Sequence, residues 1–126
     1  MRRMSVSMTL DAVRARQKTV TRRHVDTWKD LKVGDELDLI EKGMGLPKGA
    51  KQVVVARVEI VSVVVIPLAP LSWSEVDREG FGGWLSSRFV RFWLDGHGYR
   101  SASLEDAESI MCRRIEWRYL DGEATS

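Results

Sequence analysis

One cysteine, Cys112, stands among 126 residues, so no disulfide can close within the chain. That fits a reducing compartment, and a cytoplasmic location is expected. With only His24 and His97 beside it, the chain has too few soft ligands for a structural zinc site, and no metal or other cofactor is expected. Apolar stretches are short. The longest, Val53 to Ile66, falls below a membrane-spanning length and is interrupted by Arg57, Glu59 and Ser62. Met1-Arg2-Arg3-Met4 leads into no apolar segment, so no signal peptide is read, and Met4 serves as well as Met1 for a start. Nor is the charge lopsided: 20 basic against 18 acidic residues leave +2, too little for a polyanion wrapped over the whole surface. Repeats and low-complexity tracts are missing. These absences leave one soluble domain, large enough for a core, over residues 5–120, with 1–4 and 121–126 expected to be flexible. No stripe is left over for an interface, so a monomer is expected.

Against that even background, Arg14-Ala15-Arg16-Gln17-Lys18-Thr19-Val20-Thr21-Arg22-Arg23 holds five basic residues and no acidic one. Within it, Lys18-x-x-Thr21-x-Arg23 collects an ammonium, a hydroxyl and a guanidinium. Such a set suits phosphate or base-edge binding, or nucleophilic chemistry with lysine as base. It equally suits a solvated basic face beside a helix end. If nucleic acid is bound, this segment is the natural place.

The rest of the chain reads as strands separated by short helices. Ser5 to Met8 alternates weakly, as a first strand would. Thr9 can cap a short helix from Leu10, with Asp11 in its first turn and Leu10, Val13 and Gln17 on one face. Val33-Gly34-Asp35 reads as a turn and Glu36 to Glu41 as a strand with Leu37 and Leu39 inward. Lys42 to Lys51, with its glycines and Pro47, reads as a loop. Val53 to Ile66 is the strongest strand. Its first half has one wet face, and its second half reads as covered on both sides. At about 3.3 Å per residue it would span roughly 45 Å, so it is expected to bend. Pro67 and Pro70 end it.

Ser72 with Glu75 resembles a capping box that starts a helix through Arg78, ended by Gly80. Trp84 to Leu94 reads as a second helix, with Leu85, Phe89, Phe92 and Trp93 on a core stripe. Gly96-His97-Gly98 breaks it, and Ser103 to Ser109 holds a helical turn. Cys112 to Leu120 is a last strand, with Ile115, Trp117 and Tyr119 inward. The predicted class is α+β: a small β-barrel of five to six strands with short flanking helices.

Taken together, Lys18-x-x-Thr21-x-Arg23, Gly34-Asp35 before a strand, Glu79-Gly80-Phe81 before an aromatic helix, and Arg114-Ile115-Glu116-Trp117-Arg118-Tyr119-Leu120 resemble the ASCH domain family of the PUA-like superfamily, from about Ser5 to Leu120. The style of sequence also resembles phage-encoded members. The family motif usually opens with glycine where this chain has Arg16. The resemblance implies a PUA-like barrel with a cleft at one end, formed by the basic motif and a glutamate before the helix, here Lys18, Thr21, Arg23 and Glu79. It also implies RNA as a partner. Some small bacterial members hydrolyse the acetyl amide of N4-acetylcytidine with a lysine, a threonine and a glutamate at corresponding positions.

On a straight strand, positions three apart face opposite ways, so Lys18 and Thr21 can converge only at a turn, a bulge or a helix end. Converged, Thr21 would be the nucleophile, Lys18 its base and Glu79 a proton donor to the leaving amine. The bland readings stand beside these: a turn threonine, a phosphate-binding lysine, a glutamate paired with Arg22, Arg23 or Arg78. Arg16, Arg22 and Arg23 are candidate ligand contacts, and Trp73 and Trp84 candidate stacking platforms. His24 reads as a surface residue and Cys112 as a buried, inert thiol. The expected function is binding of nucleic acid or a modified nucleotide: RNA or a nucleoside, with single-stranded DNA also open. An amidohydrolase acting on acylated cytidine is the alternative, and a protein-interaction module a third.

Overall fold

Five strands form one sheet in the computed structural model, which describes residues 2–42 and 47–120. They are β1 (Arg2–Ser5), β2 (Val20–His24), β3 (Glu36–Ile40), β4 (Val54–Pro67) and β5 (Met111–Tyr119). Their spatial order is β1-β3-β4-β5-β2. All pairings are antiparallel except β1 with β3. The sheet curls into a half-barrel, as expected for an α+β small barrel.

Alternation sets what each strand buries. Leu37 and Leu39 of β3 and Ile115, Trp117 and Tyr119 of β5 all enter the barrel interior, as their spacing predicts. Ala56, Val58 and Ile60 of β4 join them. Between Ile60 and Ser62 the register of β4 against β5 shifts at a bulge. The inward phase changes there, so Val63, opposite Ile115, packs on the core. Here the expectation fails. Val61, Val64 and Val65 are exposed (38, 41 and 43 %) and not covered on both sides. The reason is that β3 pairs no further than Glu59, so beyond the bulge β4 keeps β5 as its strand neighbour.

The N-terminal expectation also needs correction. Residues 2–4 belong to β1, and Met4 is fully buried in the barrel. The chain leaves the sheet after Ser5, and Ser7–Thr9 is a single 3-10 turn, not a strand. The basic segment supplies β2, which its polar residues on both phases concealed. Residues 43–46 of the expected loop and 121–126 of the expected frayed end lie outside the described residues.

Helix α1 (Leu10–Arg14) starts where expected, though Thr9 makes no side-chain cap and Gln17 is exposed. Helix α2 (Trp73–Arg78) is capped by Ser72 Oγ, which accepts from Glu75 N at 3.2 Å. It ends at Gly80, whose φ of +96° suits glycine, and a Cβ there would meet Thr9 and Ala12 at 3.1 Å. Helix α3 (Ser86–Gly96) buries Phe89, Val90, Trp93 and Leu94. Leu85, expected on that stripe, precedes the helix and is 75 % exposed. A second core of Leu68, Val76, Phe89, Trp93, Leu94 and Cys112 joins these helices to the outer face of the sheet. Among the described residues, no helix is long and apolar enough to cross a membrane.

Candidate functional site

A cavity of about 420 Å³ opens where β2, the Ser5–Thr9 segment, the end of α2 and the face of α3 meet. It gathers all the residues of the Lys18-x-x-Thr21-x-Arg23 motif together with Arg22 and Glu79. Lys18 and Thr21 border the same cavity, with Lys18 lying outside the paired strand. Its carbonyl accepts from Trp117 Nε1 at 3.1 Å and from the Tyr119 hydroxyl. Thr19 N donates to Arg78 O at 2.9 Å, and regular β2 pairing starts only at Val20. The backbone at Lys18 is thus held by β5.

The Lys18 ammonium donates to the Glu79 carbonyl at 2.5 Å and lies 3.6 Å from Glu79 Oε1. Both side chains are almost wholly buried. Desolvation lowers the Lys18 pKa to about 8; Arg23 and Arg22 push the same way, and Glu79 opposes them. Thr21 lies opposite Ile115 on β2, and its hydroxyl accepts from Arg23 Nε at 3.2 Å. With Arg23 as the donor, the hydroxyl proton is left to another acceptor. Arg23 Nη2 is anchored on the Ser5 carbonyl at 2.9 Å, and burial lowers the guanidinium pKa. Among the described residues no hydrogen bond joins Thr21 directly to Lys18.

Arg22 points the other way. Its Nη1 donates to Glu79 Oε2 at 2.8 Å and its Nη2 to Glu75 Oε1 at 2.6 Å. Glu75 also accepts from Arg114 Nε at 2.8 Å and from Arg78 Nη1 at 3.3 Å. The bonds from Arg114, foremost, and from Arg22 hold its pKa down to about 2 against the cost of burial. The charge of Arg22 is therefore compensated inside the protein. Arg14 is likewise paired, with Glu41 at 3.1 Å. The segment that reads as the most basic in the sequence does not form an open phosphate-binding stripe.

Rings form the remaining walls: Phe81, Phe89, Phe92, Trp93 and His97. Phe81 packs against Phe89 and Phe92 at 5.4 and 5.3 Å between centroids. Sequence reasoning assigned Phe89, Phe92 and Trp93 to the core alone, and it passed over Phe81 and His97. Helical periodicity identifies a buried face but not the gap that the face borders. The available signals were Phe81 directly after Glu79-Gly80 and His97 set between two glycines.

Three expected ligand contacts lie elsewhere. Arg16 sits at φ +60°, where the family pattern has glycine; its side chain stacks on Tyr119 (4.9 Å) and its Nη1 donates to Val13 O at 2.9 Å. Trp73, the first residue of α2, is 77 % exposed and does not border the cavity. Trp84 packs behind the wall against Phe81 and Phe92, with the Arg88 guanidinium 3.7 Å over its ring. Cys112 is buried, and desolvation pushes its thiol up to about 11. No group of His, Cys, Asp and Glu among the described residues is arranged to hold a metal ion.

No family model and no curated protein sequence matches this chain. Solved structures do. The ASCH domain from Lactobacillus crispatus JV V101 superposes with a TM-score of 0.58 at 14 % identity, over 89 % of this chain and 70 % of that one. The hypothetical protein PH0355 gives a TM-score of 0.55 at 16 % identity, over 94 % of this chain and 97 % of its own. A protein of Enterococcus faecalis V583 assigned to the family model DUF984 gives 0.54 at 16 % identity, over 90 % and 71 %. The fold is thus a small α+β barrel like that of the ASCH domain structure, as the sequence resemblance implied. At these identities the likeness is one of fold, and nothing in it bears on a phage origin.

Proposed function

We propose that this ASCH-like domain recognises a single nucleoside or nucleotide unit, free or presented by an RNA strand, in the cavity beside Lys18. The observation that carries this reading is the pairing of ring-lined walls with a buried polar floor in a space of about 420 Å³. Pockets of that size take ligands the size of a nucleoside. Aromatic walls suit the faces of a planar base, and a few buried donors suit its edge. The internal compensation of Arg22 favours one unit over a polyanion laid along the basic segment.

A second reading, hydrolysis of the acyl amide of an N4-acylated cytidine, is favoured by one observation: a buried lysine with its pKa near 8 on the same cavity as a threonine whose oxygen accepts from Arg23. Thr21 Oγ would attack the acyl carbon and pass its proton to neutral Lys18. The carbon–nitrogen bond would then break, and the cytidine amine would leave with that proton. Water would cleave the acyl–threonine ester, releasing the acid and restoring the hydroxyl. Glu79, which accepts from Arg22, would position the lysine and not protonate the amine.

Absorbance-monitored hydrolysis of N4-acetylcytidine, with wild type beside Thr21→Ala and Lys18→Ala, separates the two readings. Turnover lost in both variants makes the domain a hydrolase. Saturable binding without turnover leaves recognition. A folded wild type that binds neither cytidine nor N4-acetylcytidine overturns the nucleoside reading.

A further inference from the structure

Among the cavity walls, His97 makes a contact that determines its tautomer. Its Nδ1 lies 2.7 Å from the backbone carbonyl of Trp93, and a carbonyl oxygen only accepts. Nδ1 therefore carries the hydrogen, and Nε2 keeps its lone pair. The ring is also stacked on the Trp93 indole, 3.9 Å between centroids and 10° from parallel, and a flip within that stack would give up the Nδ1 hydrogen bond. With Nδ1 directed at the helix backbone, the opposite edge of the ring faces away from α3, and His97 is part of the cavity wall. No hydrogen bond to Nε2 is found among the described residues. Burial lowers the His97 pKa, which keeps the ring neutral at neutral pH.

The cavity is graded in depth. Lys18, Thr21 and Glu79 are buried, whereas His97 is partly exposed. A ligand that places its base among the buried groups therefore brings its sugar to the level of His97. The other nitrogen-bearing side chains of the cavity, Lys18, Arg22, Arg23 and Trp93, carry N–H donors.

Resting on the nucleoside reading above, we infer that His97 Nε2 accepts a hydrogen bond from a sugar hydroxyl and so makes the cavity select nucleosides over free bases. His97 is then a specificity-determining residue for which the sequence carried no assignment.

The test is calorimetric titration of wild type, His97→Phe and His97→Gln with N4-acetylcytidine and with N4-acetylcytosine, the same base without its sugar. Phenylalanine keeps a ring on Trp93 but removes the acceptor, and glutamine offers an amide oxygen in the place of Nε2. Wild type is expected to bind the nucleoside about tenfold more tightly than the base, the scale of one hydrogen bond. His97→Phe should lose that preference, with an unchanged far-UV circular dichroism spectrum as the check that the variant is folded. His97→Gln should keep part of the preference. Equal binding of both compounds by wild type, or an unchanged preference in His97→Phe, overturns the assignment alone. Wild type that binds neither compound overturns the nucleoside reading and the assignment with it.

Discussion

Lys18 and Glu79, 61 residues apart in sequence, form a buried ion pair in which the ammonium lies 3.6 Å from Glu79 Oε1 and donates to the Glu79 carbonyl at 2.5 Å. The same carboxylate accepts from Arg22 Nη1 at 2.8 Å, so one buried anion serves two buried cations. Such an arrangement is weak evidence for stability as a whole, but it is costly to break from one side.

Glu79→Gln should therefore destabilise the fold by about 3–5 kcal/mol, because Lys18 and Arg22 lose the charge between them. Urea unfolding at neutral pH measures it. A loss below about 1 kcal/mol would show that solvent reaches the pair and that the cavity floor is wetter than described.

Lys18 should make stability rise with pH. Its folded pKa is about 8 against 10.5 unperturbed, so between those values the unfolded chain binds more protons and unfolding becomes harder as pH increases. The full effect is roughly 3 kcal/mol. Cys112 acts in the opposite direction: its thiol, raised to about 11 from 9.0, loses stability over that range. The quantity to measure is thus the difference between wild type and Lys18→Met at pH 7.5 and pH 10.5. A difference that does not change with pH would contradict a desolvated lysine.

Glu75 governs the acid side. Its pKa is held near 2 instead of 4.5, so the stability it contributes is complete above the ordinary value and is lost as pH falls toward 2. Glu75→Gln should be less stable than wild type at pH 7 and nearly equal to it at pH 2. Parallel acid-unfolding curves, offset by a constant amount, would rule out this role.

Two aromatic residues should respond in opposite ways. Trp73→Ala, at a largely exposed helix start, should leave cytidine binding unchanged and shift stability by no more than about 0.5 kcal/mol. Phe92→Ala should weaken binding by about 1–3 kcal/mol, the scale of base stacking. The reverse pattern would return the stacking role to Trp73 and argue against the cavity as the site.

Much of this was legible in the chain. Strands β3, β4 and β5 follow from alternation that the interior enforces, as at Leu37, Leu39, Ile115 and Trp117. Helix α2 follows from Ser72 and Glu75, although the Glu75 carboxylate is turned to arginines on β2 and β5 instead of completing the capping box. Lys18, Thr21, Arg22, Arg23 and Glu79 do share one cavity. What eluded sequence reasoning depends on distant partners. Strand β2 carries Thr21, Arg22 and Arg23 because Glu75, Glu79 and the Ser5 carbonyl wait for them across the fold. Residues 2–4 look like a charged tail until Met4 is seen under the parallel pairing with β3. The valines beyond Ile60 look buried because nothing local announces a bulge or the end of β3. His97 is unremarkable until Trp93 lies beneath it.

The closeness of Gly80 to Thr9 and Ala12 bears on redesign of the cavity. Position 80 admits glycine on two counts, a left-handed φ of +96° and neighbours at 3.1 Å from any added Cβ. It joins Glu79 on the cavity floor to the segment that forms the opposite rim. A combinatorial library aimed at new ligands can vary Phe92, which is half-buried, whereas Phe89 and Trp93 belong to the second core and Trp93 Nε1 donates to the Arg22 carbonyl at 2.9 Å. Position 80 must stay constant in every member, because changing it would move floor and rim together and confound altered specificity with altered shape.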